Sequence, residues 1–195
     1  MILSNTELFK ALDDGRLVID PQPSPRTPSL GGSDCPFDTH SVDLRLAKTI
    51  SIPQAGQFSH DLTQPGRIAD TLSLHSDERV LLPDQPYHLK PQCFVLGQTI
   101  ERVALPIDPD RTPCLAARIE GKSSRARFGV LVHFTAPTVH PGYDGTLTLE
   151  MINLGPADFT LSPGMRIAQL IVEEVRGLPG GNPSEFQGQS TPEGH

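Results

Sequence analysis

One carboxylate in the second half of the chain has neighbours that would let it act in proton transfer. Glu150 lies in the segment 146–153, in which apolar and more polar residues alternate. The apolar members are Leu147, Leu149 and Met151. This period of two predicts a strand with Thr148 and Glu150 on its other face. If that face lines a cavity, the carboxyl group can serve in turn as base and acid; an exposed glutamate on an edge strand fits the same pattern.

A second group of residues could bind phosphate. The run 120–129 combines glycine, hydroxyl and cationic side chains between two predicted strands. Its candidate binding residues are Lys122, Ser123, Ser124, Arg125, Ala126 and Arg127. Hydroxyls and backbone N–H groups at the start of a short helix can bind phosphate oxygens, and Arg adds charge-assisted hydrogen bonds. The Gly-x4-Gly-Lys spacing of a phosphate loop is missing, and a polar turn with solvated arginines is the alternative.

A tight corner between two strands is the third candidate. The segment 132–145 contains His133, His140 and the turn formed by Pro141 and Gly142. Loops on a β scaffold are common ligand sites, which favours a binding role for this corner. In a plain hairpin, both histidines would instead be structural or exposed.

The cysteines do not have the spacing of a zinc site that activates water. Such a site uses a His-x-Glu pair and a Pro-Cys-x-x-Cys pair, and here Cys114 follows Pro113 with no second cysteine in place. Zinc-dependent chemistry of that kind is therefore disfavoured. The chain has 3 cysteines in all. This odd number argues against a disulfide framework and favours a cytoplasmic location.

Short strands joined by turns must position these residues. The chain of 195 residues contains 20 Pro and 17 Gly, which is typical of a mainly-β domain. A strand is predicted at 41–46, and the region 21–40 before it is too rich in Pro and Gly for a regular element. The remaining predicted strands are Val80–Leu82, Tyr87–Leu89, Phe94–Arg102, Ala117–Ile119, Gly129–Phe134, Thr146–Ile152, Phe159–Leu161 and Ile167–Glu174.

The first element reads as a helix. Ser4 is a good N-cap residue, and Glu7 three positions later completes a capping box. Leu3 and Leu8 occupy the positions of a hydrophobic staple, and Gly15 is expected to end the helix.

Charge and hydropathy exclude two classes of partner. The formal net charge of −7 argues against DNA or RNA binding, which depends on neutralising phosphates, although a local basic pocket could still hold a small anion. No stretch approaches the roughly 18–20 apolar residues of a membrane span. The first residues lack the basic and apolar regions of a signal peptide.

Several motifs along the chain resemble dCTP deaminases of the dUTPase superfamily. In order, they are Met1-Ile2-Leu3-Ser4, Gly15-Arg16-Leu17, the strand 41–46, the Gly-Lys-Ser-Ser-x-Ala-Arg run at 121–127, Val132-His133-x-Thr135-Ala136, Pro141-Gly142-Tyr143-x-Gly145, Leu147-Thr148-Leu149-Glu150, Pro163-Gly164-Met165 and Phe186-Gln187-Gly188-Gln189. The likeness covers nearly the whole chain, and its central block at 120–153 is the specific part.

The resemblance implies a fold, an assembly and a reaction. The fold would be a distorted jelly roll (a dUTPase-like β-clip) with a short N-terminal helix. It would form one domain of residues 1–177, followed by a flexible C-terminal lid of residues 178–195. Three copies would form a homotrimer with active sites at subunit interfaces. dCTP would bind as its Mg²⁺ complex and would be hydrolysed to dUTP and ammonia without zinc.

The resemblance also assigns roles to residues. Glu150 would be the catalytic acid/base, and Gln189 would close the lid over the nucleotide. Ser123, Ser124 and Arg127 would position phosphate and water, whereas Thr135 and Ala136 would line the base. The remaining expected substrate contacts are Lys122, Arg125, Ala126, His140, Thr148 and Leu149.

Three departures from the family pattern leave alternatives open. His140 replaces the usual aspartate that faces the deoxyribose, Glu185 replaces a lysine of the tail, and the tail tyrosine has no match near Leu178. One alternative is a dUTP diphosphatase or a bifunctional enzyme that releases dUMP. Another is a nucleotide-binding regulator without catalysis, and the last is a β-sandwich binding module with no nucleotide role.

Overall fold

The N-terminal helix forms as its sequence predicts. In this computed structural model, which describes residues 1–30, 34–56, 61, 68–181 and 186–195, α1 spans Asn5–Asp13. The hydroxyl of its N-cap Ser4 accepts a hydrogen bond from the backbone N–H of Glu7. Leu3 and Leu8 are both buried, as a hydrophobic staple requires. The chain leaves the helix through Gly15, whose φ of +70° is a conformation that glycine adopts without strain.

Short antiparallel strands account for most of the regular structure. Two further helices are described, α2 (Ile68–Leu74) and the single-turn α3 (Ser123–Ala126). The described strands are β1 (Val18–Asp20), β2 (Val42–Arg45), β3 (Thr49–Pro53), β4 (Ser76–Val80), β5 (Tyr87–Leu89), β6 (Phe94–Ala104), β7 (Leu115–Gly121), β8 (Val130–Leu131), β9 (Thr138–Val139), β10 (Asp144–Asn153), β11 (Phe159–Leu161) and β12 (Arg166–Glu174).

Two sheets enclose one apolar core. The larger has the order β4-β3-β6-β10-β8, with β1 also paired to β6, and the other has the order β2-β12-β7-β9. A two-stranded ribbon of β5 and β11 completes the described sheets. Buried side chains of both larger sheets, such as Leu149 of β10 and Leu170 of β12, belong to one cluster. The predicted mainly-β, distorted jelly-roll class with a short N-terminal helix is confirmed.

A bulge beside the middle of β10 is stabilised by a buried hydroxyl. The register between β10 and β6 shifts between Thr146 and Thr148. Thr99 of β6 is 1% exposed. Its hydroxyl accepts from the N–H of Leu147 at 3.0 Å and donates to the carbonyl of Glu101 at 2.7 Å. The bulge therefore leaves no unpaired N–H at Leu147, which matters because an unsatisfied buried donor is costly.

Most strand predictions are right in position and less accurate in length. Val42, Leu44 and Leu46 are fully buried, as the alternation predicts. The limits of β5 and β11 agree with their predicted ranges, whereas β6, β7, β10 and β12 extend beyond them. The prediction Val80–Leu82 is wrong, because β4 ends at Val80 and Leu82 makes only an isolated bridge. The segment Gly129–Phe134 contains only the two-residue β8.

Four elements have no counterpart among the predictions. Strands β1 and β9 are too short to show a period, and β3 ends in Pro53. Helix α2 has no buried residue and therefore no apolar stripe facing the core. The expected irregular region 21–40 is confirmed for its described residues, with a single isolated bridge between Phe37 and Val42.

The cysteines form no disulfide within the part of the chain that the structure describes. Cys35, Cys93 and Cys114 are all free. No helix in the described ranges has the length and apolar character needed to cross a membrane. The cytoplasmic location stays a prediction.

A buried ion pair connects the two sheets. Glu101 of β6 is 1% exposed. It accepts hydrogen bonds from the side-chain Nε of Arg45 at 2.6 Å and from the backbone N–H of the same residue at 2.9 Å. Arg45 lies at the end of β2 and its side chain is 40% exposed. The pair therefore connects the end of β2, the edge strand of one sheet, to the interior strand β6 of the other.

Replacing Arg45 by methionine should lower the free energy of unfolding by about 3 kcal/mol, because Glu101 would remain buried without its cation. Urea unfolding followed by circular dichroism measures the change. Arg102→Met is the matched control. Arg102 pairs with Asp144 at the surface, with both side chains more than 40% exposed, so its loss should change stability by less than about 1 kcal/mol. Equal losses in the two variants would contradict a special role for the buried pair.

Candidate active site

A cavity of about 260 Å³ lies over the polar face of β10. Most of its walls come from the corner at 133–143, strand β10, helix α2 and the C-terminal segment, and β6 and β7 add one residue each, Leu96 and Ile119. Of the residues expected at the site, five line it: Ala136, His140, Thr148, Glu150 and Gln189. The structure therefore brings together side chains that are up to 53 positions apart in sequence, from residue 136 to residue 189.

Glu150 faces this cavity. Its strand lies between β6 and β8, so the alternative of a glutamate on an edge strand is wrong. The carboxylate oxygen Oε2 accepts a hydrogen bond from the backbone N–H of Phe134 at 3.3 Å. The same oxygen lies 3.9 Å from Nδ1 of His133. The side chain is 35% exposed, which leaves it accessible to a ligand from the cavity.

The neighbours of Glu150 on β10 divide between the cavity and the core. Thr148 lies on the cavity side, and its hydroxyl donates to the carbonyl of Pro192 at 3.3 Å. Leu149 has a side chain that is fully buried in the apolar core. A contact of Leu149 with a substrate would therefore have to use its backbone.

The corner places one of its two expected base-lining residues at the cavity. Ala136 lines it, whereas Thr135 is exposed outside the lining. His140 is exposed at the rim. Neither histidine of the corner lies in a plain solvent-facing hairpin, because His133 and His140 both border the cavity.

The C-terminal segment packs against the open side of β10. Gln189 is 8% exposed, and its side-chain Nε2 donates to the carbonyl of Thr146 at 2.7 Å. Its own carbonyl accepts from the N–H of Thr146 at 3.1 Å. A Cβ on Gly145 would lie 3.2 Å from the nitrogen of Gln189, so a glycine permits this close approach. The described residues 186–195 thus cover part of the cavity; that they form a flexible lid stays a prediction.

Tyr143 belongs to a motif of the corner, but the sequence predicted no role for its side chain. It is 8% exposed and lines the cavity. Its hydroxyl donates to the carbonyl of Thr146, which also accepts from Gln189. Burial raises the pKa of Tyr143 to about 12. The phenol therefore stays protonated and can keep donating to the strand on which the C-terminal segment rests.

Other lining residues were not predicted at the site. They include Ile68 and Leu72 of α2, together with Pro192 and Glu193 of the C-terminal segment, and Phe186, for which the motif at 186–189 predicted no separate role. Their signal is weak because each lies in a short or irregular element far from Glu150 in sequence. Glu185 and its expected repulsion of a triphosphate lie outside the described residues.

The run of hydroxyls and cations lies outside the cavity of its own chain. None of the six residues from Lys122 to Arg127 is part of the lining. Helix α3 carries most of them, and β8, which follows it, pairs with the last two residues of β10. The run is therefore connected to the site by a short strand but does not enter it.

Two cations of this run are already engaged. The ammonium group of Lys122 pairs with Asp43 of β2. The guanidinium of Arg125 lies 5.7 Å from the centre of the Phe159 ring, a cation–π distance. Ser123, Ser124 and Arg127 are exposed, and their side chains make no hydrogen bond or ion pair within the described parts of the chain.

The electrostatic character of the cavity is acidic. Its charged lining residues are the carboxylates of Glu150 and Glu193, with two histidines beside them. No lysine or arginine belongs to the described lining. The cavity is therefore suited to an uncharged ring that forms hydrogen bonds. A polyphosphate would need cationic side chains that do not belong to the described lining.

The fold and cavity together define a mainly-β protein with a small-molecule site on a central strand. Residues 2–175 match the family described as dCTP deaminase-like, and the chain belongs to that family. A dCTP deaminase of Haloarcula marismortui is 38% identical over 99% of this chain and 93% of its own length. A protein of Dictyoglomus thermophilum named "dCTP deaminase, dUMP-forming" is 37% identical over 87% of this chain and 78% of its own.

A solved structure shows the same fold. The crystal structure of 2'-deoxycytidine 5'-triphosphate deaminase from Agrobacterium tumefaciens superposes with a TM-score of 0.60. The match covers 88% of this chain and 47% of that one, at 22% sequence identity. At this identity, the likeness supports the fold alone.

Replacing Tyr143 by phenylalanine should lower the free energy of unfolding by about 1 kcal/mol, the typical value of one hydrogen bond. The difference should also depend on pH. The folded-state pKa of about 12 lies above the ordinary tyrosine value near 10. The stabilisation that the protonated Tyr143 hydroxyl provides is complete below about pH 10 and is lost as the pH rises towards about 12. Urea unfolding near neutral pH and at about pH 11 should show wild type losing stability relative to the variant.

If the difference in free energy of unfolding between wild type and Tyr143→Phe stayed constant across that pH range, the raised pKa of Tyr143 would be contradicted. Comparison at two pH values below about 9 provides the control, because the phenol is neutral there in the folded and unfolded states alike.

Proposed function

We propose that this protein catalyses the hydrolytic deamination of dCTP to dUTP and ammonia. The observation that carries the proposal is Glu150, a carboxylate at the wall of a nucleobase-sized cavity with one oxygen held by the N–H of Phe134. Membership in the dCTP deaminase-like family supports the choice of substrate. The names of the relatives support it further.

The first half of the reaction needs a base for water and an acid for the ring. Glu150 takes a proton from water as the water oxygen forms a bond to C4 of the cytosine. It then delivers that proton to N3, which gives a tetrahedral intermediate with a hydroxyl and an amino group on C4. A single carboxyl group can do both because it alternates between its two protonation states.

The second half of the reaction expels ammonia. Glu150 takes the proton of the new C4 hydroxyl and gives it to the amino group. The C4–N bond breaks as the C4 carbonyl forms, and the second proton leaves with the ammonia. The balance is one water consumed and one ammonia released, so no oxidant or reductant is needed. A C-terminal segment packed over the cavity would exclude bulk water from these steps.

We propose that the triphosphate is bound by a second copy of the chain. The lining of the cavity has no arginine or lysine within the described ranges, whereas Arg127 is exposed and unpaired there. Ser123 and Ser124 nearby have hydroxyls without a hydrogen-bond partner among the described residues, which fits a phosphate site. In a homotrimer, the α3 region of each copy would lie next to the cavity of a neighbouring copy. The phosphate site and the base site would then form one complete nucleotide site.

Exposed apolar side chains, two of which lie close to the α3 region, support such an assembly. Phe128 is 67% exposed, Leu154 51% and Phe134 41%. Phe128 and Leu154 lie close together, because Leu154 donates its N–H to the carbonyl of Gly129 at 2.7 Å. Large exposed apolar groups of this kind mark interaction sites.

Magnesium is expected to enter with the nucleotide. Mg²⁺ keeps several water ligands and commonly binds through substrate phosphates. Its donors would therefore be triphosphate oxygens and water, which fits a site whose described residues include no cluster of three metal-binding side chains. In the proposed mechanism Glu150 carries out the proton transfers, and no step of the deamination uses zinc.

A second candidate is a bifunctional reaction that ends in dUMP. The Dictyoglomus relative named as dUMP-forming favours it. His140 at the cavity rim argues the other way, because the family's usual aspartate at that corner could activate water at the α-phosphate and a histidine is no anionic base. Chromatography of the products from dCTP, dUTP and dCMP separates the two reactions.

Replacing Glu150 by glutamine should lower kcat for dCTP by at least about 10³-fold, within the range of a lost acid–base group. Ammonia release and nucleotide chromatography measure the rate, and calorimetry should show dCTP binding within about threefold of wild type. Glu193→Gln is the matched control, since it removes the other carboxylate of the cavity. It should retain kcat within about fivefold. An active Glu150→Gln variant would refute the mechanism; binding without turnover in wild type would favour a regulator.

Mixing two inactive variants tests the shared site. Arg127→Ala and Glu150→Gln should each be inactive alone. When they are co-expressed, a site with Glu150 from one copy and Arg127 from the next is intact in up to about one quarter of cases. The measurement is kcat of the purified mixed oligomer, with each variant expressed alone as control. Absence of any recovery, or full activity of Arg127→Ala, would contradict a site built from two copies.

A further inference from the structure

The imidazole of His133 is almost buried at the cavity and makes no hydrogen bond with the residues that the structure describes. Its side chain is only 9% exposed. Neither Nδ1 nor Nε2 has a hydrogen-bond partner in the part of the chain that the structure describes. Unpaired buried polar atoms lower the stability of a protein. A contribution of His133 to the stability of the ligand-free protein therefore does not explain its position. An unsatisfied ring at the wall of a ligand cavity indicates a function there.

The ring lies beside the reactive carboxylate. Nδ1 of His133 is 3.9 Å from Oε2 of Glu150, too long for a hydrogen bond in the free protein. Hydrogen bonds at active sites often tighten only when the substrate is bound. The N–H of the next residue, Phe134, already donates to the same oxygen at 3.3 Å.

The two carboxylate oxygens of Glu150 therefore differ in the groups that surround them. Both nearby nitrogen groups of the corner approach Oε2. No hydrogen bond from the described residues reaches Oε1. A carboxylate held through one oxygen presents the other in a fixed direction, which is what transfer between water and a ring nitrogen requires.

We propose that His133 is a positioning residue that donates from Nδ1 to Oε2 of Glu150 in the substrate complex and thereby aims Oε1 at water and N3. This inference rests on the proposed deamination. It assigns no proton transfer to the imidazole itself. The alternative is a histidine that only fills space at the base of the corner.

Three substitutions of His133 separate these alternatives. Asparagine keeps an amide nitrogen near the position of Nδ1, glutamine places its amide nearer to Nε2, and phenylalanine keeps the ring shape without nitrogen. His133→Phe should lower kcat for dCTP on the order of 100-fold while KM changes less than about threefold. His133→Asn should recover most of kcat, and His133→Gln should not.

Thermal unfolding gives a readout that is independent of activity. His133→Phe should unfold at the same temperature as wild type or higher, because it removes two unpaired buried nitrogens. A combined His133→Phe and Glu150→Gln variant should be no slower than Glu150→Gln alone, because a residue that acts through the carboxylate has no effect once that carboxylate is gone.

Two outcomes would overturn the proposal. The first is wild-type kcat in His133→Phe. The second is a lower unfolding temperature with losses that add to those of Glu150→Gln, which is the behaviour of a space-filling residue. If wild type releases no ammonia from dCTP, the proposed function itself fails and this inference fails with it; the wild-type assay distinguishes that case from the other two.

Discussion

The two-residue period of strand β10 is the constraint on which the site depends. Its apolar side chains enter the core between the sheets, so the side chains between them must face the other way. Pairing of Glu150 with Leu96 of β6 fixes the register of the strand at this position, and the carboxylate therefore faces the cavity. A slip of one residue would bury the carboxylate and expose Leu149 and Met151, and the cost of burying an unpaired charge excludes that register.

The C-terminal segment depends on the same strand. It reaches the cavity by hydrogen bonding to Thr146 and Thr148, the residues that flank the bulge. The bulge interrupts pairing with β6, and Thr99 satisfies the N–H that would otherwise be lost. Because β8 pairs only with Ile152 and Asn153 of β10, the backbone groups of Thr146 are available to Gln189, and Gly145 leaves the space for it. The irregular part of β10 at Thr146–Thr148 is thus the place where the C-terminal segment binds to the strand.

Charge is divided between two surfaces of the subunit. The cavity contains carboxylates and imidazoles, whereas Arg127, which has no ion-pair partner among the described residues, lies just before β8 and next in sequence to the exposed Phe128. A nucleoside triphosphate has the complementary division, with a neutral hydrogen-bonding base at one end and several negative charges at the other. The proposed homotrimer accounts for this separation, because one copy would supply the base site and its neighbour the phosphate site.

The sequence by itself determined the elements whose signals are local. The cap at Ser4, the alternation in 41–46 and in β10, and the motifs of the family follow from residues close together in the chain, and they predicted the fold class and the face on which Glu150 lies. Only the tertiary structure decided what surrounds that carboxylate. The proximity of His133 and Phe134 to Oε2, the support of Gln189 by Tyr143, and the walls contributed by α2 join residues whose spacing carries no signal, because contacts across sheets and from irregular segments depend on register and packing.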